Sequence, residues 1–279
     1  MNYHSNEWIM EHLQFHTNYV YEKFPLDTII GVFLRGSQNY ELDDENSDID
    51  SILLCTPSIN EICQGVSPKS ETIILPNNEH IDVKDIRVLG QQILKQSPQF
   101  MECLFTPYHY INPTYQEAWD QLQRHVSFYY SMDKIRMLKA MRGYAHEKYH
   151  ALCHPYHSRM EYIEKYGYDP KQLMHLARYK ELVKDFTLGK PFPDILVCQN
   201  PDIEAYLREL KSGKFNLEAA QRIADQTLQM ADSYANLFIE HYQRDDTLFE
   251  LGESNLKYDI ANFIKTSLKL QFEEEFLNE

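Results

Sequence analysis

The chain is poor in what an extracellular or fibrous protein needs. Its five cysteines, at 55, 63, 103, 153 and 198, are odd in number and include no Cys-x-x-Cys pair. Neither a disulfide framework nor a thiolate zinc ribbon is indicated, and buried thiols in a reducing compartment are expected. Nine glycines and 12 prolines among 279 residues are too few for a collagenous or low-complexity chain. No run approaches the roughly 18 apolar residues of a membrane span, and the start Met1-Asn2-Tyr3-His4 lacks the basic and apolar segments of a secretory signal. The expected location is the cytoplasm, without a membrane partner. Positive charge is scarce too: 27 Lys and Arg against 42 Asp and Glu give a formal charge of -15. That excludes sequence-independent coating of nucleic acid, which needs a broad cationic surface, but leaves room for a local cationic pocket. What is present, 43% hydrophobic and 25% charged residues, is the balance of a folded chain, long enough for one large domain or two.

Trp8, Ile9, His12, Leu13, Phe15, His16, Val20 and Tyr21 recur at helical spacing over residues 7–23. β-prone segments follow at 28–34, 49–55 and, around a turn at Pro76-Asn77-Asn78, 73–83. From Lys84 the period is helical up to a stop near Ser97-Pro98, and a short helix through 101–105 comes next. Beyond Pro113 helical spacing recurs at 115–126, 131–152, 158–166, 170–188, 202–212, 217–243 and 255–276, and the acidic end, 273–279, has the composition of a solvated tail. Strands with helices first and helices alone afterwards predict an α+β fold. A mixed sheet with flanking helices carries the active site over 1–113, and an all-helical domain spans 114–279.

Chemistry concentrates after the first strand, in Arg35-Gly36-Ser37-Gln38-Asn39-Tyr40 and Ser47-Asp48-Ile49-Asp50-Ser51. A glycine at a strand end lets the backbone turn sharply and approach a ligand. Ser37 then offers a hydroxyl and a backbone donor at the start of a short helix, which suits a phosphate. Strand period places Asp48 and Asp50 on one face, ahead of the apolar Ile52-Leu53-Leu54. Two carboxylates at the mouth of a buried strand repel each other, so a bound cation is the natural compensation, and magnesium takes one or two carboxylates together with substrate phosphates. A third acid would complete a two-ion phosphoryl-transfer site. Asp82, between Ile81 and Val83 near the end of the third strand, is the candidate. Asp85 is the rival, although its position suits capping of the next helix.

The spacing of Gly36-Ser37, ten intervening residues, Asp48-Ile49-Asp50 and a later Asp82 resembles the signature of the DNA polymerase β-like nucleotidyltransferase superfamily. The wider set is similar to predicted nucleotidyltransferases of bacteria and phages found beside RNA ligases. It comprises Asp82-Val83-Lys84-Asp85-Ile86-Arg87, Ser97-Pro98 with Glu102, and Tyr166-Gly167-Tyr168-Asp169-Pro170-Lys171 with His175 and Arg178. The likeness covers roughly 28–190. Glu41, Ser51 and Ser97 depart from it, standing where glycine, an apolar residue and asparagine are usual. The resemblance implies transfer of a nucleoside monophosphate from an NTP to a hydroxyl with release of pyrophosphate. It implies that Gly36 and Ser37 hold the β and γ phosphates, that Asp48, Asp50 and Asp82 bind two Mg²⁺ or Mn²⁺ ions, and that Asp82 helps deprotonate the acceptor. An RNA end is the first acceptor it suggests, with a protein hydroxyl or a small molecule as the alternative. Tyr40, beside the phosphate loop, is expected to touch the nucleotide. A non-catalytic nucleotide-binding regulator would carry the same motifs.

Asp169-Pro170 has the form of a helix start, after which Lys171, His175 and Arg178 share one face. On spacing alone that stripe equally describes a solvated surface; the resemblance assigns it to nucleotide or acceptor. His146-Glu147-Lys148-Tyr149-His150 matches the His-Glu-x-x-His pattern of zinc hydrolases. The cation at Lys148, Pro155 just downstream and the lack of an extended motif weigh against zinc.

Overall fold

The computed structural model describes residues 2–277. An opening helix α1 (Asn6–Lys23) leads to β1 (Ile29–Arg35), β2 (Asp50–Cys55), a short α2 (Ile59–Cys63), β3 (Ser70–Ile74) and β4 (His80–Asp85). Helices α3 (Ile86–Leu94) and α4 (Pro98–Met101) precede β5 (His109–Ile111), after which the chain is helical. These helices are α5 (Gln116–Ser131), α6 (Lys134–Ala151), α7 (Met160–Tyr166), α8 (Pro170–Thr187), α9 (Phe192–Leu196), α10 (Pro201–Lys211), α11 (Leu217–His241) and α12 (Asp246–Leu277). The class is α+β, with a mixed five-stranded sheet in the order β3-β4-β2-β1-β5 and a helical C-terminal region. The expected tail at 273–279 is helix as far as Leu277, and the last two residues lie outside the described ones.

Two compact units divide the chain: residues 1–133 with 245–279, and residues 134–244. The division expected at residue 113 differs, because α5 and α12 belong with the sheet. Asp259 of α12 accepts hydrogen bonds from His125 (2.9 Å) and Tyr129 of α5, and Ser267 of α12 meets Thr56, just beyond β2, at 2.8 Å.

In the first unit, alternation along the strands sorts side chains onto two faces. Val32, Leu34, Leu53, Ile81 and Val83 are buried with Ile9, Leu13 and Val20 of α1. On the opposite face Phe33 packs on Trp119 of α5, ring centroids 4.6 Å apart. β2 and β4 run parallel with Asp50 opposite His80 and Ile52 opposite Asp82, while β1 and β2 run antiparallel with Arg35 opposite Asp50. The end of β1 and the starts of β2 and β4 therefore coincide, and the register brings Arg35, Asp50 and His80 to one end of the three central strands.

The second unit is built around α8. Leu173, Met174, Leu176, Ala177, Leu182 and Val183 are buried, and Tyr179 stacks on Tyr144 of α6 at 5.4 Å. Asp169 caps α8 by accepting from the Lys171 amide at 2.9 Å, and the same carboxylate takes a bidentate pair from Arg159 at 2.7 and 2.8 Å. Gly167 ends α7 at φ 79°, and the Tyr168 hydroxyl donates to the Phe215 carbonyl at 3.1 Å. Much of the motif from Tyr166 to Lys171 is thus structural: a helix stop, a buried ring and a helix start.

Candidate active site

The site starts at the end of β1. Gly36 has φ 94° and ψ -157°, a conformation that side chains with a Cβ rarely adopt. A Cβ placed there would lie 4.0 Å from an Asp50 carboxylate oxygen, so the glycine turn runs beside Asp50. Ser37 opens a single 3₁₀ turn through Tyr40, closed by the Leu42 amide donating to the Ser37 carbonyl at 3.0 Å. The Gln38 side-chain amide donates to the Asp48 carbonyl at 2.8 Å, tying the turn to the acidic loop. Asn39 bridges from the Leu34 carbonyl (2.9 Å) to the Thr106 hydroxyl (2.6 Å). Tyr40 is 8% exposed and belongs to the buried residues. Glu41, standing where the resembled family has glycine, takes the left-handed conformation at φ 58°. Within the acidic loop Asp44 accepts from the Asn46 amide at 3.0 Å, and buried Asp43 ties the loop to the N-terminal segment by accepting from the Tyr3 and His4 amides, each at 3.0 Å.

Asp48, just before β2, is exposed, while Asp50 and His80 are half-buried. One ligand atom from each of these three lies within 4.8 Å of the others, and His80 Nδ1 is 3.4 Å from Asp50 Oδ1. Ligands around one ion at bond lengths of about 2.0–2.3 Å sit roughly 3–4.5 Å apart, so the three atoms fit a single divalent cation after small rotations. Among the described residues, no other group of three or more acid, histidine or cysteine side chains is arranged in this way.

Asp82 lies outside that cluster. It points to the same face of β4 as His80, but Arg35 pairs with its Oδ2, the Thr72 hydroxyl donates to its Oδ1 at 2.6 Å, and Lys84 Nζ is 4.0 Å away. Asp85 caps α3, accepting from the Arg87 amide at 2.8 Å and gripping the Arg87 guanidinium at 2.6–3.1 Å. That is the capping role its position suggested.

Behind the acid pair, on the face covered by α1, is a buried polar network that spacing did not reveal. Glu79 accepts from the Ile49 amide (3.2 Å), His12 Nδ1 (2.9 Å), His16 Nε2 (2.9 Å) and the Asn77 amide group (2.6 Å). His16 Nδ1 lies 2.8 Å from the Ser51 hydroxyl, which accounts for serine where an apolar residue is usual. Burial opposes the charge on Glu79, but the bonds from His16, Asn77, His12 and Ile49 outweigh it and hold the carboxyl down to about 2. One carboxylate thereby fixes the peptide between Asp48 and Asp50 and, through its own backbone, the neighbouring His80.

No protein family model and no curated protein matches this chain. A solved structure described as a nucleotidyltransferase-like protein from Exiguobacterium sibiricum 255-15 aligns over 93% of this chain and 92% of that one, at 13% identity and a TM-score of 0.34. So loose a superposition leaves function to be argued from this chain's own side chains.

Lys171, His175 and Arg178 all lie on α8 of the second unit: Lys171 is exposed, His175 half-buried and Arg178 buried. Burial first, and then the charges of Lys171, Arg178, Lys148 and Lys211, push the His175 pKa well below its ordinary value, so its ring is neutral at pH 7. His146 does not gather a metal set. Its Nε2 meets Asp232 of α11 at 2.9 Å, alongside Arg142 Nε at 2.8 Å on the same oxygen, and it serves packing between α6 and α11. Among the described residues, none of the helices is long and apolar enough to cross a membrane.

Proposed function

We propose that the chain is a metal-dependent nucleotidyltransferase that moves a nucleoside monophosphate from an NTP to an acceptor hydroxyl. The observation that carries this reading is the closeness of the positive-φ turn at Gly36 to the Asp50 carboxylate, an oxygen of which would lie 4.0 Å from a Cβ on Gly36, within the Asp48–Asp50–His80 cluster. A phosphate chain lying along Gly36 and Ser37 would have the acid pair at its side. The ion would be held by Asp48, Asp50 and His80. When bound, it supplies Lewis-acid stabilisation of charge on the phosphoryl oxygens.

The remaining work falls to the chain. Gly36 permits close approach of the backbone, Ser37 offers its hydroxyl, and Glu79 holds the Ile49 amide between the two aspartates. In the reaction an oxygen–phosphorus bond forms between the acceptor and the α-phosphorus. The α–β bridging bond breaks, pyrophosphate leaves, and the hydroxyl proton passes to a nearby base. Magnesium and manganese both suit a set with two carboxylates, and the imidazole nitrogen favours manganese. Lys171, His175 and Arg178 are assigned to nucleotide or acceptor on the strength of the sequence resemblance, with His175 acting as a neutral hydrogen-bonding ring. An RNA end is the proposed acceptor on the same ground, and the net charge of -15 restricts its binding to local contacts.

The test is incubation with each labelled NTP, Mg²⁺ or Mn²⁺ and pools of RNA, protein and metabolites, comparing the native chain with an Asp48→Asn, Asp50→Asn double variant. Label transfer and pyrophosphate release by the native chain alone are expected. Magnesium-dependent NTP binding without pyrophosphate would instead favour the regulatory reading, to which the engagement of Asp82 by Arg35 lends weight.

A further inference from the structure

We infer that the site takes one divalent ion before nucleotide arrives, at Asp48, Asp50 and His80, and that the Arg35 guanidinium supplies the positive charge Asp82 would otherwise take from a second ion. This rests on the nucleotidyl-transfer reading and departs from the two-ion, three-carboxylate arrangement that the sequence resemblance implies.

Three observations converge. First, both oxygens of Asp82 are already used, Oδ2 by Arg35 and Oδ1 by Thr72, with Lys84 Nζ at 4.0 Å as a further cation. A metal ion there would meet the repulsion of two cations and compete with a guanidinium and a hydroxyl for the same oxygens. Second, Arg35 is held where it is. It is the last residue of β1, paired in the ladder with Asp50, and its guanidinium lies 5.8 Å from the Phe100 ring centroid. Burial works against its charge, but Cys103, Glu102, Asp82 and Asp50 together keep its pKa above the ordinary value. Third, the residue on β4 that does converge with Asp48 and Asp50 is His80, because β2 and β4 pair with Asp50 opposite His80 and Asp82 two positions further on. A neutral imidazole completes an ion site without adding negative charge. Asp82, the carboxylate outside that cluster, is met instead by the fixed charge of Arg35, with Lys84 Nζ at 4.0 Å.

A fixed guanidinium also differs chemically from an ion. It presents several N–H donors in one plane and suits the non-bridging oxygens of a phosphate, but it cannot lower the pKa of a bound hydroxyl as a metal does. The Asp82–Arg35 pair therefore serves to position a charge beside the Gly36 turn, and Asp82 is not a metal ligand.

Counting Mn²⁺ bound to the nucleotide-free chain, by electron paramagnetic resonance of the free ion and by calorimetry, tests this without reference to activity. The native chain is expected to bind one ion. Asp82→Asn should keep that count with an affinity change below about tenfold, less than loss of a coupled outer-shell partner causes, whereas Asp48→Asn should remove the ion. Arg35→Lys should keep one ion, and Arg35→Gln, checked for native circular dichroism, should bind a second. If Arg35→Gln does not fold, the Asp82→Asn comparison decides. Two ions on the native chain, or loss of the ion in Asp82→Asn, overturn the single-ion inference while leaving metal-dependent transfer standing. No ion on the native chain overturns both.

Discussion

Two residues beside the acid pair, Glu79 and His80, do the most to shape the candidate site, and neither was visible in the sequence motif. Glu79 accepts four hydrogen bonds, one of them from the Ile49 amide between the two aspartates. Glu79→Ala would leave buried His16 without its acceptor, while half-buried His12 and exposed Asn77 could turn to water, at a cost of about 3 kcal/mol in denaturant-unfolding stability. The same variant should weaken Mn²⁺ by about 10–100-fold, the usual effect of losing an outer-shell support, with Glu79→Gln recovering part of both. His80 makes a distinct prediction. Because the imidazole nitrogen suits manganese more than magnesium, His80→Ala should weaken Mn²⁺ by more than it weakens Mg²⁺, narrowing their ratio in paired calorimetric titrations. Asp48, expected on the strand, lies in the loop just before it, whereas Gly36 and Asp50 were legible because a sharp turn and the start of a strand are local properties. His80 was not, since it joins them only through the pairing of β2 with β4. Asp82 was placed on the correct strand, but its partner Arg35 comes from β1, across an antiparallel register that no spacing in the sequence encodes.

Helices and strands with a long period were legible for the same local reason. The opening helix, the first two strands and the long helices of the second half fall within a few residues of their expected places, apart from α12, which begins at Asp246 where the sequence suggested 255. α2, α9 and β5, of five, five and three residues, are too short for periodicity to register. The third β-prone segment is a hairpin, β3 and β4, turning through Asn78 at φ 67°. At this scale α8 carries a pH prediction. His175 faces Lys171 and Arg178 on its own helix, Lys148 on α6 and Lys211 on α10, and its pKa is held well below the ordinary value. The unfolded chain takes up this proton near about pH 6.5, whereas the folded chain resists it, so the unfolded state binds more protons below that pH. The contribution to stability is therefore full above about pH 6.5 and is lost as the pH falls, by about 1.4 kcal/mol for each pH unit until the folded pKa is reached. Urea midpoints at about pH 7.5 and about pH 5.5 should differ less in His175→Gln than in the native chain, because the variant has no such proton to gain.

Across the whole molecule, the chain leaves its first unit after residue 133 and returns to it at residue 245. Helical spacing could not foretell that return, since a 3.6-residue period says that a helix has an apolar face and nothing about which partner covers it. The evidence lies in particular pairs: Asp259 with His125 and Tyr129, Ser267 with Thr56, Phe263 stacked near Tyr115, and Ile260 pressed against Gly90 so closely that an added Cβ would sit 3.0 Å from it. Leu256, Phe263, Asp259 and Ser267 are all buried. A chain ending at residue 244 would therefore expose the faces of α3 and α5 that α12 covers. Each large apolar side chain uncovered costs about 1.5–3 kcal/mol, so the loss of several approaches the whole stability of an ordinary domain. The expected result is a truncated protein that binds a hydrophobic dye and loses its cooperative unfolding transition. It should also fail to bind Mn²⁺ at Asp48, Asp50 and His80, although none of these residues has been altered. Retention of native metal affinity in the truncated chain would show that the sheet holds the site without α12, and that a boundary closer to residue 113 describes the folding unit better.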